Sequence, residues 1–149
     1  MMLLLWACSS APPPAEPVVR TDRARLEEMI VLPDGFGPPR WVVQPLGTPS
    51  MVPGPTDYLL VVYLPVPDPA ALDRLGPAKG RQSGELDDRW ARELLPTPQL
   101  LRRESGKATV KGPSYPATTF ERMPWHAQKA IGLQESTTTV GLLVWLQTM

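Results

Sequence analysis

The sequence of 149 residues has little of the material from which metal sites are usually built, because it contains a single cysteine, Cys8, and a single histidine, His126. One cysteine excludes an internal disulfide framework and any thiol-rich zinc site, since both need several sulfur atoms in one chain. A catalytic zinc ion typically takes three protein ligands, and these two residues are far apart in sequence. We therefore expect no metal ion and no other cofactor.

The chain also lacks an excess of charge of either sign, since Lys+Arg 15 balance Asp+Glu 15. A neutral chain has no long-range field that would gather nucleic acid from a distance. The most basic stretch, residues 100–112, has neither interleaved aromatic residues nor a known binding motif, and we expect a solvated hairpin or strand edge there. No nucleic-acid partner is expected. The basic residues of this stretch are Arg102, Arg103, Lys107 and Lys111.

The familiar phosphate-binding and nucleophile motifs are missing as well: there is no Gly-x-Gly-x-x-Gly, no Gly-x-x-x-x-Gly-Lys-Ser/Thr and no Gly-x-Ser-x-Gly. His126 could serve Ser114 or Ser136 in a triad, but no spacing ties the three together. A lone histidine at the start of a strand is more often a surface or interface residue. We therefore assign no catalytic residue and expect the protein not to be an enzyme.

Proline and glycine, in contrast, are abundant, and Pro 20 with Gly 11 make up about a fifth of the chain. This share is below the roughly 25–30% at which low-complexity disorder becomes the default. The sequence therefore predicts a chain that folds but contains long irregular stretches, above all over residues 33–55.

The N-terminal residues carry a short motif, Leu5-Trp6-Ala7-Cys8, which is followed by two serines and a Pro-rich stretch. It resembles the lipobox of bacterial lipoproteins, with leucine three positions before the cleavage site, a small residue just before it and cysteine just after it. The resemblance implies that the Cys8 thiol is diacylated and that the protein meets a membrane through this lipid. Residues 1–8 would then be a signal segment and residues 9–17 a semi-rigid tether.

Composition adds a second, weaker resemblance of the same kind. The chain is rich in proline, arginine and alanine, and in this it is similar to small lipoproteins of GC-rich bacteria such as myxobacteria. A location in the cell envelope would follow from either resemblance.

Residues 18–149 are predicted to form a single α+β domain, a mainly antiparallel sheet of about four to five strands with two or three short helices. Two segments, 57–64 and 140–146, are apolar on both faces, which is typical of strands covered on both sides. We expect them to lie side by side as central strands. Further predicted strands are an edge strand at 40–44 and a C-terminal hairpin formed by the segments beginning at His126 and Thr139.

Three short helices are predicted from amphipathic spacing and end signals. Leu26, Met29 and Ile30 share one face of the segment 18–32. Asp68-Pro69 and Gly76 delimit a helix over 69–75. Residues 77–86 are polar and Gly-rich, and another helix begins at the acids Asp87 and Asp88 and ends before Pro96.

The carboxylates Glu85, Asp87 and Asp88 form the cluster most open to a chemical interpretation. Such a cluster could supply a general acid and base or ligands for a hard cation. Acids at a helix N-terminus also stabilise the helix dipole without any further role, and this is the simpler interpretation.

Three functions from different classes remain open. The first is an envelope lipoprotein with a non-catalytic domain that binds a partner or serves as an accessory subunit. The second is a soluble intracellular interaction protein, such as an immunity-type inhibitor, located in the cytoplasm, in which residues 1–7 are an N-terminal tail. The third is a carboxylate-based hydrolase that uses Glu85, Asp87 or Asp88.

Overall fold

A computed structural model describes residues 18–46, 57–96, 102–104 and 106–148 of the chain. The lipobox-like segment and the tether, and with them Cys8, lie outside the described residues. Three α-helices and seven β-strands occupy the described part. They follow in the order α1 (Arg23–Met29), β1 (Arg40–Pro45), β2 (Tyr58–Pro65), α2 (Ala70–Asp73), β3 (Arg81–Asp87), α3 (Asp88–Leu94), β4 (Arg102–Glu104), β5 (Lys107–Tyr115), β6 (Trp125–Glu135) and β7 (Thr138–Thr148), with a 3-10 turn at Thr118–Phe120.

The strands form one sheet in the order β1-β2-β7-β6-β5-β3, with β4 paired to β5 beside this path. Every pair of these strands is antiparallel. The fold is therefore α+β with an antiparallel sheet, as the sequence predicts. The sheet has more strands than the four to five expected.

The prediction of two adjacent central strands is confirmed. β2 pairs with β7 over its whole apolar run, from Leu59 opposite Gln147 to Pro65 opposite Gly141. Alternate side chains of both strands enter two separate cores, because successive residues of a strand point to opposite faces. Leu60 and Leu142 lie in the first core, while Val61 and Leu143 lie in the second.

The first face of the sheet, defined by Leu60 on β2 and Leu142 on β7, is covered by α1, α2, the segment 30–39 and the 3-10 turn. Leu26 and Ile30 are fully buried there, as their helical spacing predicts. The helix itself is shorter than the segment 18–32. It begins after Asp22, whose carboxylate accepts a hydrogen bond from the Arg25 N–H, and Arg20 before it pairs with Trp41 as an extra edge bridge.

The second face, defined by Val61 on β2 and Leu143 on β7, is covered by α3 and by the sheet itself, which folds back over it. β5 makes this possible, because only Ser114 and Tyr115 pair with β6, whereas Ala108 and Val110 reach the second core. The strands cross where Gly112 lies against the backbone carbonyl of Gly132, and a Cβ atom at residue 112 would collide with that oxygen.

The strand count was too low chiefly because β3 lies within the polar, Gly-rich stretch 77–86. Only Gly84 and Leu86 of this strand are buried, so its sequence has neither an apolar run nor a strong preference for extended backbone. Most of the remaining predictions of elements are confirmed: β1 is an edge strand, and β6 and β7 form the C-terminal hairpin. β4 and β5 form the hairpin expected in the basic stretch, but it is not solvated throughout, because Ala108 and Val110 are buried in the second core. The helices at 70–73 and 88–94 lie inside their predicted ranges.

Candidate functional site

The acidic cluster is held by neighbouring cations. The Glu85 carboxylate lies 3.3 Å from the Lys107 ammonium on the adjacent strand, and the side chains of both residues are exposed. The Asp87 carboxylate caps α3 by accepting from the Arg89 N–H at 2.9 Å, and it also accepts two side-chain hydrogen bonds from Arg89, at 3.0 Å from Nε and 2.6 Å from Nη2. Asp88 follows as the first residue of α3.

The contacts with Arg89 shift the pKa of the Asp87 carboxyl. The side-chain hydrogen bonds from Arg89 lower the pKa of the Asp87 carboxyl, more than burial raises it. A general acid in a pair of catalytic carboxyls needs a pKa raised toward neutrality. Asp87 is shifted in the opposite direction, which is typical of a helix cap that also forms an ion pair.

The histidine and the two serines lie at three separate places on the sheet. His126 pairs with Gln147 near the start of β6, and Ser114 pairs with Ile131, five residues further along, which is about 15 Å away. Ser136 lies beyond the far end of β6, in the turn to β7. The Ser114 hydroxyl is hydrogen-bonded to the Gln82 amide oxygen at 3.0 Å. The fold therefore brings neither serine within hydrogen-bonding reach of the histidine.

A cleft that the sequence did not suggest lies on the first face, between α2 and the turn that joins β6 to β7. Its volume is about 430 Å³. The cleft is lined by Asp73 and Leu72 of α2, by Tyr115 and by three consecutive threonines, Thr137, Thr138 and Thr139. The threonine run was the one signal for this site in the sequence, but its meaning depends on a helix more than sixty residues earlier in the chain.

A second feature lies at the opposite end of the sheet, where β2 and β6 begin and β7 ends. Three large apolar side chains are exposed in the described part of the chain: Val18 at 66%, Tyr58 at 42% and Met123 at 77%. Tyr58 is the first residue of β2. Met123 lies in the turn that leads into β6, and the Trp125 N–H closes this turn by donating a hydrogen bond of 2.8 Å to the Arg122 carbonyl. We call Val18, Tyr58 and Met123 the apolar rim.

The residues that the structure describes contain no group of three or more His, Cys, Asp or Glu side chains that could hold a metal ion. Among the helices of the described ranges, none is long and apolar enough to cross a membrane.

Comparison with known proteins adds no relative. No family model, no curated protein and no solved structure matches the chain. The features that bear on function are therefore the motif at residues 5–8 and the geometry of the described residues.

Proposed function

We propose that the protein is a lipoprotein of the bacterial envelope, attached to a membrane through a lipid on Cys8, whose folded part binds a partner or serves as an accessory subunit. The observation that carries the proposal is the spacing between the motif and the fold. The lipobox-like residues 5–8 are followed by a Pro-rich stretch, and ten residues after Cys8 the chain reaches Val18 at the edge of the sheet.

The way in which the chain joins the sheet agrees with such an anchor. Arg20 is paired with Trp41 through two backbone hydrogen bonds, of 2.7 and 2.9 Å, on the outer side of β1. A pull on the preceding residues would act on an edge bridge, and the central strands β2 and β7 would be spared. An anchor attached at this point leaves both cores intact.

Binding is the role that the described surface supports best for the folded part. The cleft beside α2 offers threonine hydroxyls and the Asp73 carboxylate for hydrogen bonds, together with the Tyr115 ring for stacking. Pockets with a few polar groups on an apolar wall are typical of sites for small ligands or peptide groups. The candidate carboxylates Glu85 and Asp87, by contrast, each form an ion pair.

Metabolic labelling tests the anchor directly. The full chain is expressed in a bacterium supplied with an alkyne analogue of palmitate, and we expect the label on the wild-type protein and its loss in Cys8→Ser. Ser10→Ala is the matched control, because it changes a neighbouring hydroxyl and keeps the thiol. An unlabelled wild-type protein would favour the soluble interaction protein instead, and label retained in Cys8→Ser would place the acyl group on another residue.

A further inference from the structure

We infer that the apolar rim is a membrane-contacting surface: Val18, Tyr58 and Met123 rest on the lipid bilayer to which the chain is attached. This inference rests on the proposed anchor at Cys8. It goes beyond that anchor, because it says which end of the domain faces the lipid bilayer and which side chains enter the bilayer.

The register of the sheet places the three side chains at one end. Tyr58 pairs with Pro45 at the end of β1, and its N–H donates to the hydroxyl of Thr148 at the end of β7. Thr148 in turn pairs with Trp125 at the start of β6, directly after Met123. Val18 precedes the Arg20 bridge on the outer side of β1, running toward the same end. The rim therefore crosses five neighbouring segments, a width of about 20 Å.

The length of chain between the rim and the lipid limits how far this end can lie from the bilayer. Nine residues lie between Cys8 and Val18, and the ten steps from Cys8 to Val18 span at most about 35 Å when the chain is fully extended. A short tether of this kind keeps the rim at an effective concentration in the millimolar range beside the membrane, so a weak apolar contact is enough. The opposite end of the sheet, with Thr137, is about 35 Å further away.

The chemistry of the three side chains fits an interface between lipid and water. Valine and methionine gain free energy by leaving water, and tyrosine places its ring at the level of the headgroups while its hydroxyl stays hydrated. The nearby charges are of both signs, with Arg122 and Glu121 beside Met123. The diacyl lipid on Cys8 would supply the attachment, and the three side chains would fix which end of the domain faces the bilayer.

Photolabelling from the lipid tests the inference without relying on acylation in the cell. The full chain is coupled through its single thiol, Cys8, to a maleimide lipid in phosphatidylcholine vesicles that contain a diazirine phosphatidylcholine. After illumination, tryptic peptides are compared by mass spectrometry. Peptides 123–129 and 41–74 contain Met123 and Tyr58, and peptide 75–79 lies beside Thr137 in the cleft at the opposite end of the sheet.

We expect at least fivefold more lipid adduct per mole on peptides 123–129 and 41–74 than on peptide 75–79. In the double variant Tyr58→Asp with Met123→Asp, the adducts on both peptides should fall to the level of peptide 75–79. The matched control is Thr137→Asp with Thr138→Asp, two exposed positions at the opposite end, and it should leave the rim adducts unchanged. Melting temperatures verify that both double variants are folded.

Equal labelling of all three peptides would overturn the inference, as would rim adducts that persist in the Asp variant, because they would reflect proximity alone. Absence of adducts from the rim would also overturn the inference and would indicate that the rim binds a protein partner instead of lipid. Failure of acylation at Cys8 in cells is a separate result, since the chemical coupling does not depend on it.

Discussion

Each face of the sheet is closed by a tryptophan, and the two are held by similar polar contacts. On the first face, the Trp41 indole N–H donates to the Asp22 carbonyl at 3.0 Å, and the Arg20 guanidinium lies 5.5 Å from the ring centre. On the second face, the Trp145 N–H donates to the Glu85 carbonyl at 3.3 Å, and the Lys129 ammonium lies 5.3 Å from the ring. Both cations lie within the range of a cation–π contact.

What differs is the surface against which each ring packs. Trp41 belongs to a core of side chains from α1 and α2, whereas Trp145 lies directly on Gly84, where a Cβ atom would stand 2.6 Å from two ring carbons. The first face is therefore closed by side chains, whereas the second is closed by α3 and, around Trp145, by backbone brought close to the ring. Both faces should be damaged by loss of apolar side chains, and the second should also be damaged by methyl groups added at these close approaches.

The largest effect is expected from a charge placed in either core. Leu142 and Leu143 are both fully buried, on opposite faces of β7. An unpaired carboxylate at either position costs several kcal/mol, comparable with the whole 5–15 kcal/mol stability of a domain. We expect Leu142→Asp and Leu143→Asp each to abolish the cooperative thermal transition followed by circular dichroism, as we expect of Trp145→Asp. Thr138→Asp, at an exposed position on the same strand, is the control and should melt like the wild type. If Leu142→Asp or Leu143→Asp were folded, the face that carries that residue would not be a core.

A methyl group at the crossing of β5 and β6 should have the next largest effect. In Gly112→Ala the new Cβ atom meets the Gly132 carbonyl oxygen, so the two strands must separate and the sheet can no longer fold tightly over its second face. We expect a loss of about 3 kcal/mol in the free energy of unfolding by urea. Lys111→Ala, at the exposed neighbouring residue, should stay within about 0.5 kcal/mol. Equal stability of the two variants would contradict the close approach.

A double-mutant cycle isolates the contact between Gly84 and Trp145. Gly84→Ala alone should cost about 2 kcal/mol, because the methyl group pushes the indole away from its hydrogen bond and its cation. In a Trp145→Leu background the same methyl group meets a smaller side chain, and its cost should fall below about 1 kcal/mol. Urea denaturation of the four proteins gives the coupling energy. Additive costs would show that the ring does not lie on residue 84.

The smallest effect concerns the start of α3, the helix that covers the second face. The pKa of Asp87 is lowered in the folded state, so its stabilising contribution is complete above the unfolded pKa near 4 and is lost as the pH falls through the folded value. The Asn side chain still caps a helix but cannot ion-pair with Arg89. Asp87→Asn should therefore flatten the fall in stability below about pH 5, by less than about 1 kcal/mol for so exposed a pair.

Removing the cation provides the control for this pH effect. Arg89→Gln leaves the carboxyl in place and should flatten the same part of the profile. A slope unchanged in both variants would assign the acid sensitivity to other carboxyl groups. His126→Ala should leave the fold unchanged, because residue 126 is half-buried on β6 outside either core cluster.

The parts of the fold that could be predicted from sequence are those whose signal is local. The continuous apolar runs of β2 and β7 and the caps of α2 and α3 depend on neighbouring residues, and they predicted both position and type. β3 could not be found in this way, because its strand geometry comes from pairing with β5 and from the Trp145 ring over Gly84. The cleft and the apolar rim were missed for the same reason, since each joins residues that only the sheet register brings to one end.

The pairing of β2 with β7 also determines when the protein can fold during its synthesis. Leu59 pairs with Gln147, so β2 has no partner on its inner side until almost all of the described sequence has left the ribosome. Closing so long a loop is slow, and the cores cannot form before it closes. We expect ribosome-bound chains that end at residue 136 to be digested rapidly by protease, and resistance at that length would show that the core forms without β7.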